Sequence, residues 1–251
     1  WPELKVYLTS VTEQFGTISL NGPNARKVMQ KISPLHDFSK ENFPHMSFQN
    51  IDICNVSCRV MRISFTGEMC YEINVPSSYA NSAWKKFIEA GKEFNITPYG
   101  TEAMHVLRAE KGYIIVGQET DGSTTPVDLG MNWILSKKKY DFIGKRALSR
   151  SDTVKKDRKQ LIGILTKDPN VILEEGAQLV EKESTLPMTM VGHITSSYYS
   201  PNLGRSFALA LVKGGINKKG YKLLAPMPNK TIEVEITSPV FIDPSNERLS
   251  A

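Results

Sequence analysis

Strand-forming residues dominate Arg59 to Phe65 and again Cys70 to Val75, and Thr66-Gly67-Glu68-Met69 between them offers a glycine for a turn. The pattern predicts a β-hairpin. With a four-residue turn, Phe65 faces Cys70 and Ile63 faces Glu72. Side chains alternate along a strand, so Met61, Ile63, Phe65, Cys70, Glu72 and Asn74 share one face, and Tyr71, Ile73 and Val75 take the other. Glu72 is then a carboxylate on a largely apolar floor.

Other elements follow from the same kind of periodicity. A strand is expected at Phe15 to Leu20, then a helix opening at Gly22-Pro23-Asn24-Ala25, where Pro23 suits a first turn because its missing N–H costs nothing there. The stretch from Pro34 to Pro44 reads as a polar connector; His36 and His45 near it lack metal-spaced partners and receive no role. Ser77-Ser78 can cap a helix running to about Glu93, with Ala80, Trp84, Phe87, Ile88 and Gly91 on one face, which places Trp84 in the core. A further helix covers Thr101 to Glu110, and Tyr113 to Val116 resumes strand. Arg108 and Glu110, two apart on that helix, point to different sides and do not pair with each other. Gln118 to Pro126 is a polar loop suited to lining a site.

From about Ser149 the chain turns nearly all β, with strands at Gln160–Thr166, Val191–Ser196, Phe207–Val212 and Thr231–Thr237. Glycines at 214, 215 and 220 punctuate hairpins, while Pro226 and Pro228 fit loops or edges. Several short strands with turns between them suggest a small antiparallel barrel. The expected organisation is an α+β domain over residues 1–150 and a β-barrel domain over 151–251.

Composition narrows the function. Hydrophobic residues at 40% and charged residues at 23% are ordinary for a globular chain of 251 residues, and no apolar run reaches the length of a membrane span. A net charge of +5 suits an anionic ligand; nucleic acid and membrane are not favoured as partners. Three cysteines, Cys54, Cys58 and Cys70, lack the spacing of a zinc site or a disulfide framework, so no metal is expected and a reducing cytoplasm fits. The chain contains no G-x-G-x-x-G, P-loop or G-x-S-x-G motif, which removes dinucleotide binding, phosphate cradling and the hydrolase elbow.

Six ordered segments resemble the folate-dependent glycine-cleavage T-protein family. They are Thr66-Gly67-Glu68 with Tyr71-Glu72-Ile73 and Val75-Pro76; Leu107-Arg108-Ala109-Glu110-Lys111-Gly112; Thr124-Thr125-Pro126-Val127 with Trp133; Asp141-Phe142-Ile143-Gly144-Lys145; Gly192-His193-Ile194-Thr195-Ser196; and Ser200-Pro201 with Ala208-Leu209-Ala210. The resemblance implies a T-protein-like folate-binding fold with ferredoxin-like α/β layers followed by the barrel. It also implies tetrahydrofolate as ligand, bound by Glu72 with Phe65 against the pterin. Arg108 belongs to a family motif and has either a folate contact or a structural role. Trp133 lines the central cavity or packs a domain junction.

A carboxylate suits a reduced pterin because its two coplanar oxygens can accept from a ring N–H and an adjacent exocyclic amine together. Two departures from the family stand out. Met104 occupies a position where T-proteins often carry Arg. The family's catalytic Asp is expected upstream of residue 1, so the N-terminal part of the fold is expected to be missing and no catalytic residue is assigned. The opening tract WPELKVYLTSVTE resembles the T-protein-like region at the end of the large subunit of a four-subunit flavoenzyme. That likeness implies FAD, FMN and NAD bound outside this region and three further subunits as partners. A free-standing aminomethyltransferase and a non-catalytic scaffold domain are the alternatives.

Overall fold

The computed structural model describes residues 2–251. Two compact units divide the chain: residues up to Met104 together with Ser245–Ala251, and His105–Pro244. The division falls within a helix, whereas the sequence suggested a boundary at 150.

The first unit is built on a four-stranded antiparallel sheet. Its strands are β1 (Phe15–Asn21), β2 (Phe48–Ile53), β3 (Val56–Met61) and β4 (Cys70–Pro76), in the order β1-β4-β3-β2. Alternation along β1 and β4 sends Ile18, Leu20, Tyr71, Ile73 and Val75 into the core, where α1 (Ala25–Ile32) contributes Val28 and Met29 and α2 (Ala80–Gly91) contributes Ala83 and Phe87. The stretch after Pro34, expected to be a polar connector, instead contributes to the core. Phe38 and Phe43 are fully buried and set their rings against Tyr71 at 5.8 and 5.7 Å. β2 and β3, not anticipated as a hairpin, are joined at Cys54 and Asn55, both with positive φ (59° and 64°) as a two-residue hairpin turn demands.

The predicted hairpin forms with a different register. β3 ends at Met61, which pairs with Glu72, and Arg59 pairs with Asn74. The connection therefore covers residues 62–69, and Phe65 lies in that loop instead of opposite Cys70. Arg62 is the reason: its side chain is 1% exposed, donates to the carbonyls of Cys70 (3.3 Å) and Leu249 (3.1 Å), and lies 5.3 Å from the Tyr71 ring, so the chain turns inward where the strand was expected to continue. The register moved by two residues, an even number, so Glu72 keeps the predicted face.

α2 also differs from expectation. Its buried residues are Ala83, Phe87, Ala90 and Gly91, and Trp84 is 43% exposed, not core. Ser77 does not cap it with its side chain; its hydroxyl donates to the Glu13 carbonyl instead.

The second unit contains α3 from His105 onward (the helix is Thr101–Glu110) and a closed six-stranded antiparallel barrel. The barrel strands are β5 (Lys159–Thr166), β6 (Gln178–Val180), β7 (Met190–Ser200), β8 (Arg205–Lys213), β9 (Lys222–Met227) and β10 (Lys230–Thr237), ordered β10-β5-β8-β7-β6-β9. β8 is buried on both faces. Ala208, Ala210 and Val212 fill the barrel with Ile162, Ile164 and Ile194, while Phe207, Leu209 and Leu211 pack outside with Ala109 of α3. β9 was not expected, and Pro226 sits within it, opposite Thr231. Tyr113 to Val116 is irregular, not strand, because α3 is closed by Gly112 (φ +73°): the N–H groups of Gly112 and Tyr113 return to the carbonyls of Ala109 and Arg108. Among the described residues no helix is long and apolar enough to cross a membrane.

Candidate functional site

The two units hold different parts of the expected site. Glu72 and Phe65 belong to the first, and Arg108 and Trp133 to the second.

In the second unit the family-like motifs form a buried polar network. Arg108 and Glu119 are both 0% exposed and pair at 2.9 Å. Arg108 also donates to the Tyr113 carbonyl (3.0 Å), Ser196 Oγ (2.7 Å) and Tyr198 Oη (3.4 Å), while Glu119 accepts from Ser196 Oγ (2.5 Å) and the Ile115 N–H (2.7 Å). A bulge delivers Ser196. Ile194 pairs with Ala210 and Ser196 with Leu209, leaving Thr195 as an extra residue. That extra residue reverses the alternation, so Ile194 faces the barrel interior and Ser196 the outer surface under α3. Next to this network, Glu110 accepts from Ser200 Oγ (2.5 Å) and Asn202 Nδ2 (3.0 Å), and Lys111 pairs with Asp243 at 2.9 Å. Asp128 is held by Arg158 at 2.6 Å; burial opposes its charge, but the Arg158 and Thr125 hydrogen bonds prevail and keep its carboxyl below the usual range. Trp133 is 78% exposed in a short turn, Asn132–Ile134.

The first unit offers an open site. Across the ladder from Glu72 stand Ser19 on one side and Met61 on the other, and Cys70 and Asn74 share its face. The floor is therefore mixed, not largely apolar as expected. Glu72 has no hydrogen-bond or ion-pair partner among the described residues, and burial alone raises its pKa.

Three residues that periodicity did not single out join it: Ser19, Asn21 and Tyr99. Thr66, 6% exposed, donates to Asn21 Oδ1 at 2.9 Å, which turns the Asn21 amide nitrogen toward Ser19 Oγ (2.9 Å) and Tyr99 Oη (2.5 Å). Ser19 Oγ lies 3.6 Å from Cys70 Sγ, whose pKa burial pushes up to about 12. Ser19, Asn21 and Tyr99 also line a cavity of about 400 Å³ whose other walls include Trp84, Phe87 and Met104. Glu72 stands beside this cavity, one strand in from the wall formed by Ser19. Thr66 of the T-G-E motif was the available signal, since a buried hydroxyl requires a partner.

A carboxylate-bearing antiparallel sheet followed along the chain by a six-stranded barrel defines the class. This chain belongs to the glycine cleavage T-protein family: the GCVT N-terminal domain matches residues 1–139 and the glycine cleavage T-protein C-terminal barrel domain matches residues 159–243. The match itself does not support the expectation that an N-terminal part of the fold is missing. The unmatched interval between the two includes residue 150.

Among individual proteins, the chain is 46% identical over 252 residues to sarcosine oxidase subunit alpha of Corynebacterium sp. strain U-96, covering 99% of this chain and 26% of that subunit. The same subunit of strain P-1 is 48% identical over 254 residues, with the same coverage. The aminomethyltransferase of Thermoanaerobacter pseudethanolicus is 29% identical over 237 residues, covering 94% of this chain and 62% of that enzyme. The chain thus spans about a quarter of the length of the sarcosine oxidase subunits it matches. Its fold is that of the glycine cleavage system aminomethyltransferase T from Bartonella henselae, with TM-score 0.76, 22% identity, and coverage of 90% of this chain and 59% of that one.

Proposed function

We propose that this chain is the tetrahydrofolate-holding region of a sarcosine oxidase α subunit. The observation that carries the reading is Glu72: a carboxylate half-sunk in a sheet, without a protein partner, beside a cavity large enough for a heterocycle. Its two oxygens fit two adjacent N–H donors, which the pterin ring presents. In this reading sarcosine is oxidised to its imine elsewhere in the whole enzyme, with dioxygen as electron acceptor and hydrogen peroxide as its reduced product, and tetrahydrofolate held here would take up the one-carbon unit, leaving glycine and 5,10-methylenetetrahydrofolate.

The role of this chain's residues is to bind and orient. Glu72 fixes the ring, and Phe65, in the loop entering β4, packs against it. Trp133, exposed in its short turn, is proposed as a folate contact on the family motif alone. Arg108 is assigned to holding the second unit together, because its side chain is fully buried and its two terminal nitrogens donate to Tyr113, Glu119, Ser196 and Tyr198, leaving only Nε without a partner. Met104 presents an apolar cavity wall where the family resemblance places Arg, which favours the sarcosine oxidase reading over ordinary glycine cleavage. FAD, FMN and NAD belong to the whole enzyme, outside these residues, and the other subunits are its partners.

The test is calorimetric titration with 5-formyltetrahydrofolate. Two hydrogen bonds to a charged acceptor, at roughly 1.5 kcal/mol each, correspond to a loss of about a hundredfold in affinity for Glu72→Ala. Unchanged affinity in a folded variant sinks the assignment.

A further inference from the structure

Glu72 supplies only acceptors, yet the group of side chains beside it includes a hydroxyl donor, that of Tyr99. The Asn21 amide has two N–H bonds, and both are committed: one to Ser19 Oγ at 2.9 Å, the other to Tyr99 Oη at 2.5 Å. Tyr99 Oη therefore receives a hydrogen bond from Asn21, and its own proton points away from that amide, toward the neighbouring Ser19 hydroxyl or the cavity. The orientation is fixed from behind, since Thr66 donates to Asn21 Oδ1 and prevents the amide from turning over. Tyr99 is 40% exposed and lines the cavity, so a ligand that enters can take this proton in place of Ser19. Ser19, linked to Tyr99 through Asn21 by two hydrogen bonds, is the cross-strand partner of Glu72. Directly paired residues in a sheet stand about 5 Å apart at Cβ, so acceptor and donor serve one small region of surface. Burial raises the phenol's pKa, with the nearby Cys70 and Glu72 adding to the shift against the hydrogen bonds of Ser19 and Asn21; the hydroxyl thus keeps its proton at neutral pH.

We infer that Tyr99, positioned by Asn21 and Thr66, is a specificity-determining donor. Together with Glu72 it reads the donor, donor, acceptor edge of a 2-amino-4-oxopyrimidine ring, with its hydroxyl directed at the 4-oxo oxygen. The inference rests on the folate reading above and adds what that reading lacks, a means of telling a 4-oxo from a 4-amino ring. A carboxylate alone cannot recognise the oxygen, because it has no proton to give.

The experiment is anaerobic calorimetric titration of the full chain with tetrahydrofolate and with tetrahydroaminopterin, its 4-amino counterpart. Wild type, Tyr99→Phe, Asn21→Asp and Glu72→Ala are compared. Tyr99→Phe is expected to weaken tetrahydrofolate about five- to tenfold, the value of one hydrogen bond, and to leave tetrahydroaminopterin within about twofold. Asn21→Asp keeps the phenol but offers it an acceptor, drawing its proton inward, and should cause the same selective loss. Circular dichroism checks the fold, and if one variant fails to fold the other carries the test. Equal weakening of both ligands, or of neither, overturns the Tyr99 assignment while leaving Glu72 intact. Wild type that binds neither ligand, or Glu72→Ala that binds as wild type, overturns the folate reading and this inference with it.

Discussion

Removing one member of the Arg108–Glu119 pair should do more damage than removing both. Each side chain is 0% exposed, and Glu119 accepts from Arg108, Ser196 and the Ile115 N–H. Arg108→Met leaves that carboxylate buried with two donors and no countercharge. Glu119→Leu leaves a guanidinium with only the Tyr113 carbonyl and two hydroxyl oxygens around it. Breaking a buried pair from one side costs about 3–5 kcal/mol, and we place Arg108→Met near 3 because two donors remain. Arg108→Met with Glu119→Leu removes both charges and replaces them with groups of comparable volume. The double variant should lose less than either single one, giving a coupling of about 3 kcal/mol or more. Because the chain has two compact units, a global melt can mix their transitions; native-state hydrogen exchange of the β8 amides reads the second unit itself. Single losses below about 1 kcal/mol, or additive effects in the double variant, refute the reasoning.

Two further predictions concern stability alone. Glu72 carries a raised pKa, so the folded chain binds its proton more tightly than the unfolded chain, and stability falls as pH rises from the ordinary glutamate value of 4.5 through the folded one. Glu72→Gln should therefore melt higher than wild type at pH 7, with the difference vanishing well below pH 4.5; a lower melting temperature at pH 7 contradicts this sign. Gly112→Ala should destabilise by more than about 2 kcal/mol, since φ is +73° and a Cβ would lie 2.5 Å from the Pro239 carbonyl oxygen; a change under about 0.5 kcal/mol by urea titration would show that the turn relaxes.

The motifs that mark the family were legible as letters but not as roles. Arg108 meets Ser196 and Glu110 meets Ser200, so two segments nearly ninety positions apart are halves of one network. Nothing local in either segment requires the other. The bulge at Thr195 is the clearest case: the residues Ile194-Thr195-Ser196 do not say which is the extra one, and packing decides it by turning Ile194 into the barrel and Ser196 toward Arg108. The short strand β6 and the proline-bearing β9 gave weak local signals and are held by their neighbours in a closed barrel.

What the sequence by itself determined was periodicity and parity: the strand of β1, the helix from Thr101 to Glu110, the alternation of β10, and the face on which Glu72 stands. These depend on whether neighbouring side chains point together or apart, which the chain's own geometry sets. Tertiary structure alone decided the length of the β3–β4 connection, through the burial of Arg62. It alone joined Asn21, Thr66 and Tyr99 to Ser19, the cross-strand partner of Glu72, because hydrogen bonds between residues as far apart as Asn21 and Tyr99 exist only once the chain has folded back on itself.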